Sequence, residues 1–470
     1  MGVRHYKIIL TTNGLVHIGN GNSYGKKEYF AAGNNRIAVL DAPHFVSGLN
    51  AEELEDYCRF LEEDSRTSLH DFLDRHPRLK ARATKSVKYH TEMTLTKAPR
   101  GSLQFFDVRQ FIKNAYDQPY VPGSSVKGML RTAILTYLIQ NNRKGFLRLY
   151  DSEMARGRSR NKACSTIEHE AFRKDATGVA TTSDIMRYIS VSDSLPLSTD
   201  DLVFAKKYDK FSKQDDGRHR RAIGKASRNP EYFKGNDLDI YRECLKPGTR
   251  ITLSLDIDER IDAFLPGLTL DGNGLIKILE SSFALYKQCF LDSFELDDQP
   301  GEGNGESATS DGRCRYIYEG GPFAGKRCRN AAGETGYCGI HADKAAAQTK
   351  QITCYLGGGV DFDSKTVINA LFENNRDRVR EISNILYAQF PTRIDPSIYP
   401  GLKDNVQRAG FESKYMRANR RGNKLKKGKD DHRHWEDTAL GVSPHTVKLG
   451  IIGNKKYPMG RCFIEIEAIK

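Results

Sequence analysis

YVPGSSVKGMLRTAIL, residues 120–135, passes from turn chemistry straight into an amphipathic helix. Val126, Leu130, Ile134 and Leu138 recur at helical spacing, and Met129 and Leu135 widen the apolar stripe, so the spacing predicts a helix over 126–140. Pro122-Gly123-Ser124-Ser125 supplies the turn before it, with a serine placed to cap the first turn. Glycine lets backbone come close to a phosphate, and a helix N-terminus favours an anion. Lys127 adds a cation beside that end. The stretch is not a nucleotide-binding P-loop, because Gly123 to Lys127 lacks the Gly-x4-Gly-Lys-Ser/Thr spacing.

Three other turns share the style of strand, glycines and basic residue: HIGNG at 17–21, LGGGVDFDSKT at 356–366 and KLGIIGNKKYPMG at 448–460. Around them the text alternates between strand and helix. Residues 6–18 and 36–40 read as strands, and 50–80 as helix with Leu54, Tyr57, Phe60 and Leu61 at helical spacing. Residues 250–258 (RITLSLDID) alternate as a half-buried strand, 264–291 contain a helix, and 461–469 close the chain with a strand. Residues 206–234 and 414–434 are basic and read as loops or ribbons, and 293–313 as an acidic, Gly/Ser-rich linker. This is α+β text in two passes, and it predicts a pair of split βαβ domains over residues 1–245 and 246–470, with helical insertions.

The chain has 470 residues, enough for about three domains, and a formal net charge of +13. That balance favours acidic partners, with nucleic acid first among them. The N-terminus shows no signal peptide, Tyr6 breaks the myristoylation pattern, and no apolar run has the length of a membrane span, so a cytoplasmic protein is expected. Cys58, Cys164, Cys244, Cys289 and Cys462 read as buried thiols.

Four residues stand apart. Cys314, Cys328, Cys338 and His341 follow a C-x13-C-x9-C-x2-H spacing within residues 314–341. Cys3His satisfies tetrahedral Zn²⁺, and a closed site of four protein ligands is structural. The segment is too poor in large apolar residues to build its own core, so the metal would supply its folding energy. It resembles the Cys3His knuckle of some chromatin-associated proteins. Arg313, Arg315, Lys326, Arg327 and Arg329 surround the ligands and either touch RNA or keep the knuckle soluble.

YVPGSSVKGMLRTAIL resembles the hallmark of the RAMP superfamily of CRISPR proteins, and HIGNG its first strand and loop. SDIMRYISVSDS (183–194), YLGGGVDFDSKTV, SPHTVKL (443–449) and PMGRCFIEI narrow the resemblance to the fifth-subunit family of type III-A Csm complexes. The resemblance spans almost the whole chain, and the zinc knuckle departs from it as an insertion. It implies two ferredoxin-like, RRM-like domains and a non-catalytic subunit at the 3′ portion of the guide RNA (crRNA) that supports its maturation. The implied partners are crRNA, the repeated backbone subunits and other Csm subunits, target RNA in the assembled complex, and recruited cellular nucleases.

By position, Gly123, Ser124, Ser125, Lys127 and Arg131 are the first RNA-facing candidates, with Gly357, Gly358, Gly359, Ser364 and Lys365 as their counterpart. His17, Gly19 and Gly21 would flank the first groove, and Lys448, Lys455 and Lys456 extend the set. For His17 a hydrogen-bonded structural role competes. The competing functions are a metal-independent endoribonuclease acting on CRISPR repeat RNA and another RAMP subunit of a type III complex. The twelve histidines include no pair in a defined acid–base setting; His432 and His434 lie in a basic run.

Overall fold

Strand β1 (Val3–Thr12) is covered on both faces: Ile8, Ile9 and Leu10 are all fully buried. A computed structural model of the chain describes residues 2–63, 67–97, 102–173, 183–215, 235–296, 328–331, 338, 340, 352–389 and 437–469. After β1 come β2 (Gly19–Tyr24), β3 (Tyr29–Gly33) and β4 (Arg36–Leu40). Helices α1 (Ala42–Ser47), α2 (Ala51–Glu62), α3 (Leu69–Arg75) and α4 (Pro77–Ala83) follow. Then come β5 (Val87–Met93), β6 (Thr96–Lys97), β7 (Leu103–Gln104) and β8 (Val108–Phe111), and the helices α5 (Gly123–Asn141), α6 (Arg143–Ala155) and α7 (Arg160–Phe172). The chain continues through β9 (Ile189–Val191), β10 (Leu202–Phe211), β11 (Gly235–Leu245), β12 (Arg250–Asp258) and α8 (Gly272–Cys289). It ends with β13 (Ile352–Tyr355), α9 (Asn375–Gln389), β14 (Thr446–Ile452), β15 (Lys455–Pro458) and β16 (Arg461–Ala468).

Two sheets organise these elements. The first has the order β13-β16-β1-β12-β9, with every pairing antiparallel. β1 runs beside β12 from Val3↔Asp258 to Thr11↔Arg250, and beside β16 from Tyr6↔Ala468 to Thr12↔Cys462. α5 and α8 pack on each other, and both touch this sheet. In chain order its central elements are therefore strand, helix, strand, strand, helix, strand: β1, α5, β9, β12, α8, β16. The second sheet has the order β2-β8-β11-β10-β5-β4-β3, with β14 joined to β10 and β15 to β14. It is assembled from connections of the first: β2, β3, β4, β5 and β8 lie between β1 and α5, β10 and β11 between β9 and β12, and β14 and β15 between α8 and β16, while β6 and β7 pair with each other in a separate ribbon.

The architecture is α+β, as the sequence predicts. The two sheets do not divide at residue 245, because strands from both sides of that position meet in each of them. α5 begins at Gly123, and its stripe is buried as expected at Val126, Leu130, Ile134, Leu135 and Leu138. Each such side chain contributes roughly 1.5–3 kcal/mol by leaving water. The helical text of 50–80 is cut into α2, α3 and α4. Asn50 with Glu53 and Ser68 with Asp71 form capping boxes, and Pro77 begins α4. Only Tyr57 and Phe60 of the expected α2 stripe are buried, in a satellite core with Phe45 and Phe72. Residues 206–211, expected in a loop or ribbon, are the end of β10; 212–215 continue outside a strand, and 216–234 and all of 414–434 lie outside the described residues. Cys58 is exposed rather than buried.

Candidate nucleic-acid interface

The start of α5 is fixed by the segment after β9. The Gly123 N–H donates to Asp193 Oδ1 (2.8 Å), and the Val121 N–H donates to Ser194 Oγ (2.9 Å). A Cβ on Gly123 would collide with the carbonyl oxygens of Val191 and Ser192. The need for glycine at this position is thus a close chain-to-chain approach. The next residues are available: Ser124 is exposed and Ser125 half-buried, and neither hydroxyl has a partner among the described residues.

Ser124 and Ser125 line a cavity of about 420 Å³. On the α5 side they are joined by Gly128, Met129 and Thr132; across from them stand Phe283 and Tyr286 of α8 and Thr353 to Tyr355 of β13. Ile18, Gly19, Gly357, Gly358, Ser364 and Lys365 complete the rim. Seven of the expected residues, from the 17–21 turn, the 122–125 turn and the 356–366 turn, are therefore brought to one site: Gly19, Ser124, Ser125, Gly357, Gly358, Ser364 and Lys365.

His17 is the fastener between two of these turns. Its carbonyl oxygen accepts from the Gly358 N–H (2.6 Å), and its buried ring donates from Nδ1 to the Glu243 carbonyl oxygen (2.7 Å). Burial lowers its pKa to about 4, so the ring is neutral at pH 7. Gly357 (φ +88°) and Gly359 (φ +83°) adopt left-handed backbone in the turn that His17 holds. Beneath it, the fully buried Glu243 carboxylate accepts from the Phe111 N–H (2.8 Å), the Lys113 ammonium (2.5 Å) and the Tyr89 hydroxyl.

The other expected residues fall elsewhere. Arg131 faces away from the cavity, where its guanidinium pairs with Glu168 (2.9 Å) and Asp184 (2.8 Å) and covers the Phe172 ring at 3.8 Å. Lys127 is half-buried on α5, next to the cavity but not among its lining residues. Gly21 lies in exposed β2 with φ +90°. The Lys365 ammonium donates to the Gly357 carbonyl oxygen (3.0 Å), which ties the rim together. Lys448 and Lys456 lie on β14 and β15, with Lys456 over the Tyr208 ring at 3.9 Å. The backbone N–H of Lys448 donates to the buried Asp361 carboxylate (3.1 Å), whose pKa burial raises to about 7.

Sequence reasoning missed the aromatic wall. Phe283 and Tyr286 sit three residues apart on a helix, which reads as core text, and Tyr355 stood beside the glycines without being singled out. Of the expected zinc ligands, Cys314 and His341 lie outside the described residues. Cys328 and Cys338 are both buried, with sulfurs 3.9 Å apart. Among the described residues, no group of three or more His, Cys, Asp or Glu is placed to hold a metal ion. His432 and His434 lie outside the described residues. None of the described helices is long and apolar enough to cross a membrane.

Residues 9–286 match the model of the RAMP superfamily, and the chain belongs to that superfamily. Its curated relatives bear the name CRISPR system Cms protein Csm5. The one from Mycobacterium tuberculosis (strain CDC 1551 / Oshkosh) is 24% identical over 272 residues, 54% of this chain and 67% of that one. The one from Streptococcus thermophilus is 24% identical over 300 residues, 63% of this chain and 74% of its own. Among solved structures, a chain of the Csm–crRNA–target RNA ternary complex of a type III-A CRISPR–Cas system superposes with a TM-score of 0.56 at 16% identity, covering 98% of this chain and 100% of that chain. At that identity the likeness is one of fold.

Proposed function

We propose that the chain is a non-catalytic, RNA-binding subunit of a type III-A CRISPR effector complex, holding the 3′ portion of the crRNA and supporting its maturation. The observation that carries this reading is the convergence of three glycine-rich turns, distant in sequence, on one cavity at the N-terminus of α5. The serine hydroxyls and the Lys365 ammonium there suit a sugar-phosphate chain. The names of the curated relatives support the same complex. Its partners on this reading are crRNA, the repeated backbone subunits and other Csm subunits, target RNA in the assembled complex and recruited nucleases; its place is the cytoplasm. The order β1, α5, β9, β12, α8, β16 supports a ferredoxin-like unit assembled from both ends of the chain.

We also propose the Cys3His zinc knuckle over 314–341. The 3.9 Å between the Cys328 and Cys338 sulfurs is far beyond a disulfide bond and close to the edge, about 3.8 Å, of a tetrahedron with ~2.3 Å zinc–sulfur arms. A bound zinc would fasten the knuckle and take no part in RNA chemistry.

The endoribonuclease reading has less support. His17, the one histidine of the expected site, is neutral, and its Nδ1 is committed to a backbone carbonyl oxygen. Assembling the complex with and without the chain and mapping the 3′ ends of the bound crRNA tests the proposal. Longer or ragged ends without the chain are expected; unchanged ends would remove it from the 3′ end.

A further inference from the structure

The cavity holds more than a backbone track requires. A phosphate chain needs amides, hydroxyls and cations along an open groove. Here a recess runs inward between α5 and α8, and its far wall is aromatic. The Phe283 and Tyr355 rings stack with centroids 6.3 Å apart and 23° between planes, and Tyr286 meets Tyr355 edge-on at 5.1 Å. Phe283 and Tyr355 are only partly buried, so this aromatic surface is not closed into the core. Opposite it the helix offers small residues: Ser125, Gly128 and Thr132 keep the recess open. A Cβ added at Gly128 would meet nothing within 4 Å. The volume of about 420 Å³ has room for a nucleobase with its ribose.

From this juxtaposition we infer that the recess receives one unstacked base of the bound RNA, laid against the Phe283–Tyr355 pair, while its sugar and phosphate stay at the rim with Ser124, Gly357, Gly358 and Lys365. Single-stranded RNA is commonly held this way, since every base has a π-face that an aromatic side chain can cover. The Ser125 hydroxyl, without a hydrogen-bond partner among the described residues, supplies a donor and an acceptor for a base edge. The recess shapes the register of the strand: one nucleotide is anchored by its base, and its neighbours by their phosphates. The inference rests on the RNA-binding reading and adds the class of group that enters the recess.

The test uses the full chain and two single-stranded RNAs identical except for one abasic nucleotide, its position moved along the strand in a series. Gly128→Phe is the matching variant, because it adds bulk to the recess from a helix position where the new Cβ meets nothing within 4 Å. Wild type should bind the intact strand about five- to hundredfold tighter than the strand abasic at one particular position, the range that one stacked base contributes. Gly128→Phe should melt at or above the wild-type temperature and bind both strands equally, at the abasic affinity. A wild type that binds RNA with salt-sensitive affinity but ignores every abasic position overturns the base pocket and leaves the RNA-binding reading in place. A wild type with no salt-sensitive RNA binding overturns both. If Gly128→Phe keeps wild-type RNA discrimination but fails to join the effector complex, the recess holds a protein side chain instead, and the inference fails.

Discussion

At the scale of single residues, the site depends on polar groups that were moved out of water and satisfied there. The Glu243 carboxylate is the clearest case. Its side chain is fully buried, and the Lys113 side chain is 8% exposed, so each is the other's main compensation for lost hydration. Glu243→Ala leaves a buried ammonium and an unpaired Phe111 N–H, and should cost about 3–5 kcal/mol in urea unfolding. Glu243→Gln, which can still accept, should cost less. Two buried groups give the fold opposite pH dependences. Burial lowers the His17 pKa to about 4, so its share of stability is complete above the ordinary histidine value and is lost as pH falls from 6.5 toward 4. Burial raises the Asp361 pKa from 3.8 to about 7; the folded chain keeps a proton that the unfolded chain gives up, and stability is lost as pH rises through that interval. Asp361→Asn keeps an acceptor for the Lys448 N–H and removes that loss. Between about pH 4 and pH 8, the variant should gain roughly 2–4 kcal/mol relative to wild type, read from denaturation curves at both ends. An unchanged difference would mean that the carboxyl is ionised throughout. The hydrogen-bonded role of His17 was among the readings of the sequence, but the ion pair was not legible: Glu243 and Lys113 are ordinary charged letters in the sequence, and only the register of β11 beside β8 brings them together.

At the scale of elements, sequence legibility follows how local the cause is. The α5 stripe, β12 and the break after Leu356 were readable because periodicity and glycine act within a few residues. Gly123 was readable as special but for a different reason. The glycine looked like an approach to phosphate, whereas the structure uses it for the approach of α5 to the Val191 and Ser192 carbonyls, a contact between segments about 70 residues apart. Gly123→Ala should therefore destabilise the fold by about 1–3 kcal/mol through forced displacement of α5. Gly128→Ala, on the same helix in open space, should be neutral or stabilising by up to about 1 kcal/mol. Equal effects of the two alanines, by thermal denaturation, would remove the packing explanation. The proposed zinc segment would be a third kind of element, one whose stability comes from a metal. Cys338→Ser should lower bound zinc from one equivalent to none while shifting the main unfolding transition by less than about 0.5 kcal/mol. Collapse of the whole fold on that substitution would make the knuckle part of the core rather than an insertion.

At the scale of the whole molecule, α+β content was readable in the sequence and strand partnership was not. Two passes of strand, helix and strand suggested two halves lying side by side. The hydrogen-bonded register joins them instead: β1 takes β12 as one neighbour and β16 as the other, across separations of 239–255 and 450–462 residues. A pattern read along the chain carries no information on which strands pair, because alternation specifies a face and not a partner. The same topology places the three glycine-rich segments of the candidate site together. Residues 17–21, expected as a turn, lead into β2 after β1, the 356–366 turn follows β13, and α5 packs against β9 and α8, so closing the first sheet closes the site. This makes the site inseparable from the long-range pairing. Residues 1–245 expressed alone retain β1 but lose both its neighbours, and retain α5 but lose α8. Ile8, Ile9, Leu10, Leu130 and Ile134, buried in the whole chain, would then face water on at least one side. That fragment should show no cooperative urea transition and no protected amide protons in β1 by hydrogen exchange. Adding residues 246–470 as a second polypeptide should restore both the transition and salt-sensitive RNA binding. A fragment 1–245 that unfolds cooperatively by itself, with β1 protected, would show that the N-terminal half builds its own sheet and that the shared register is not what holds the cavity together.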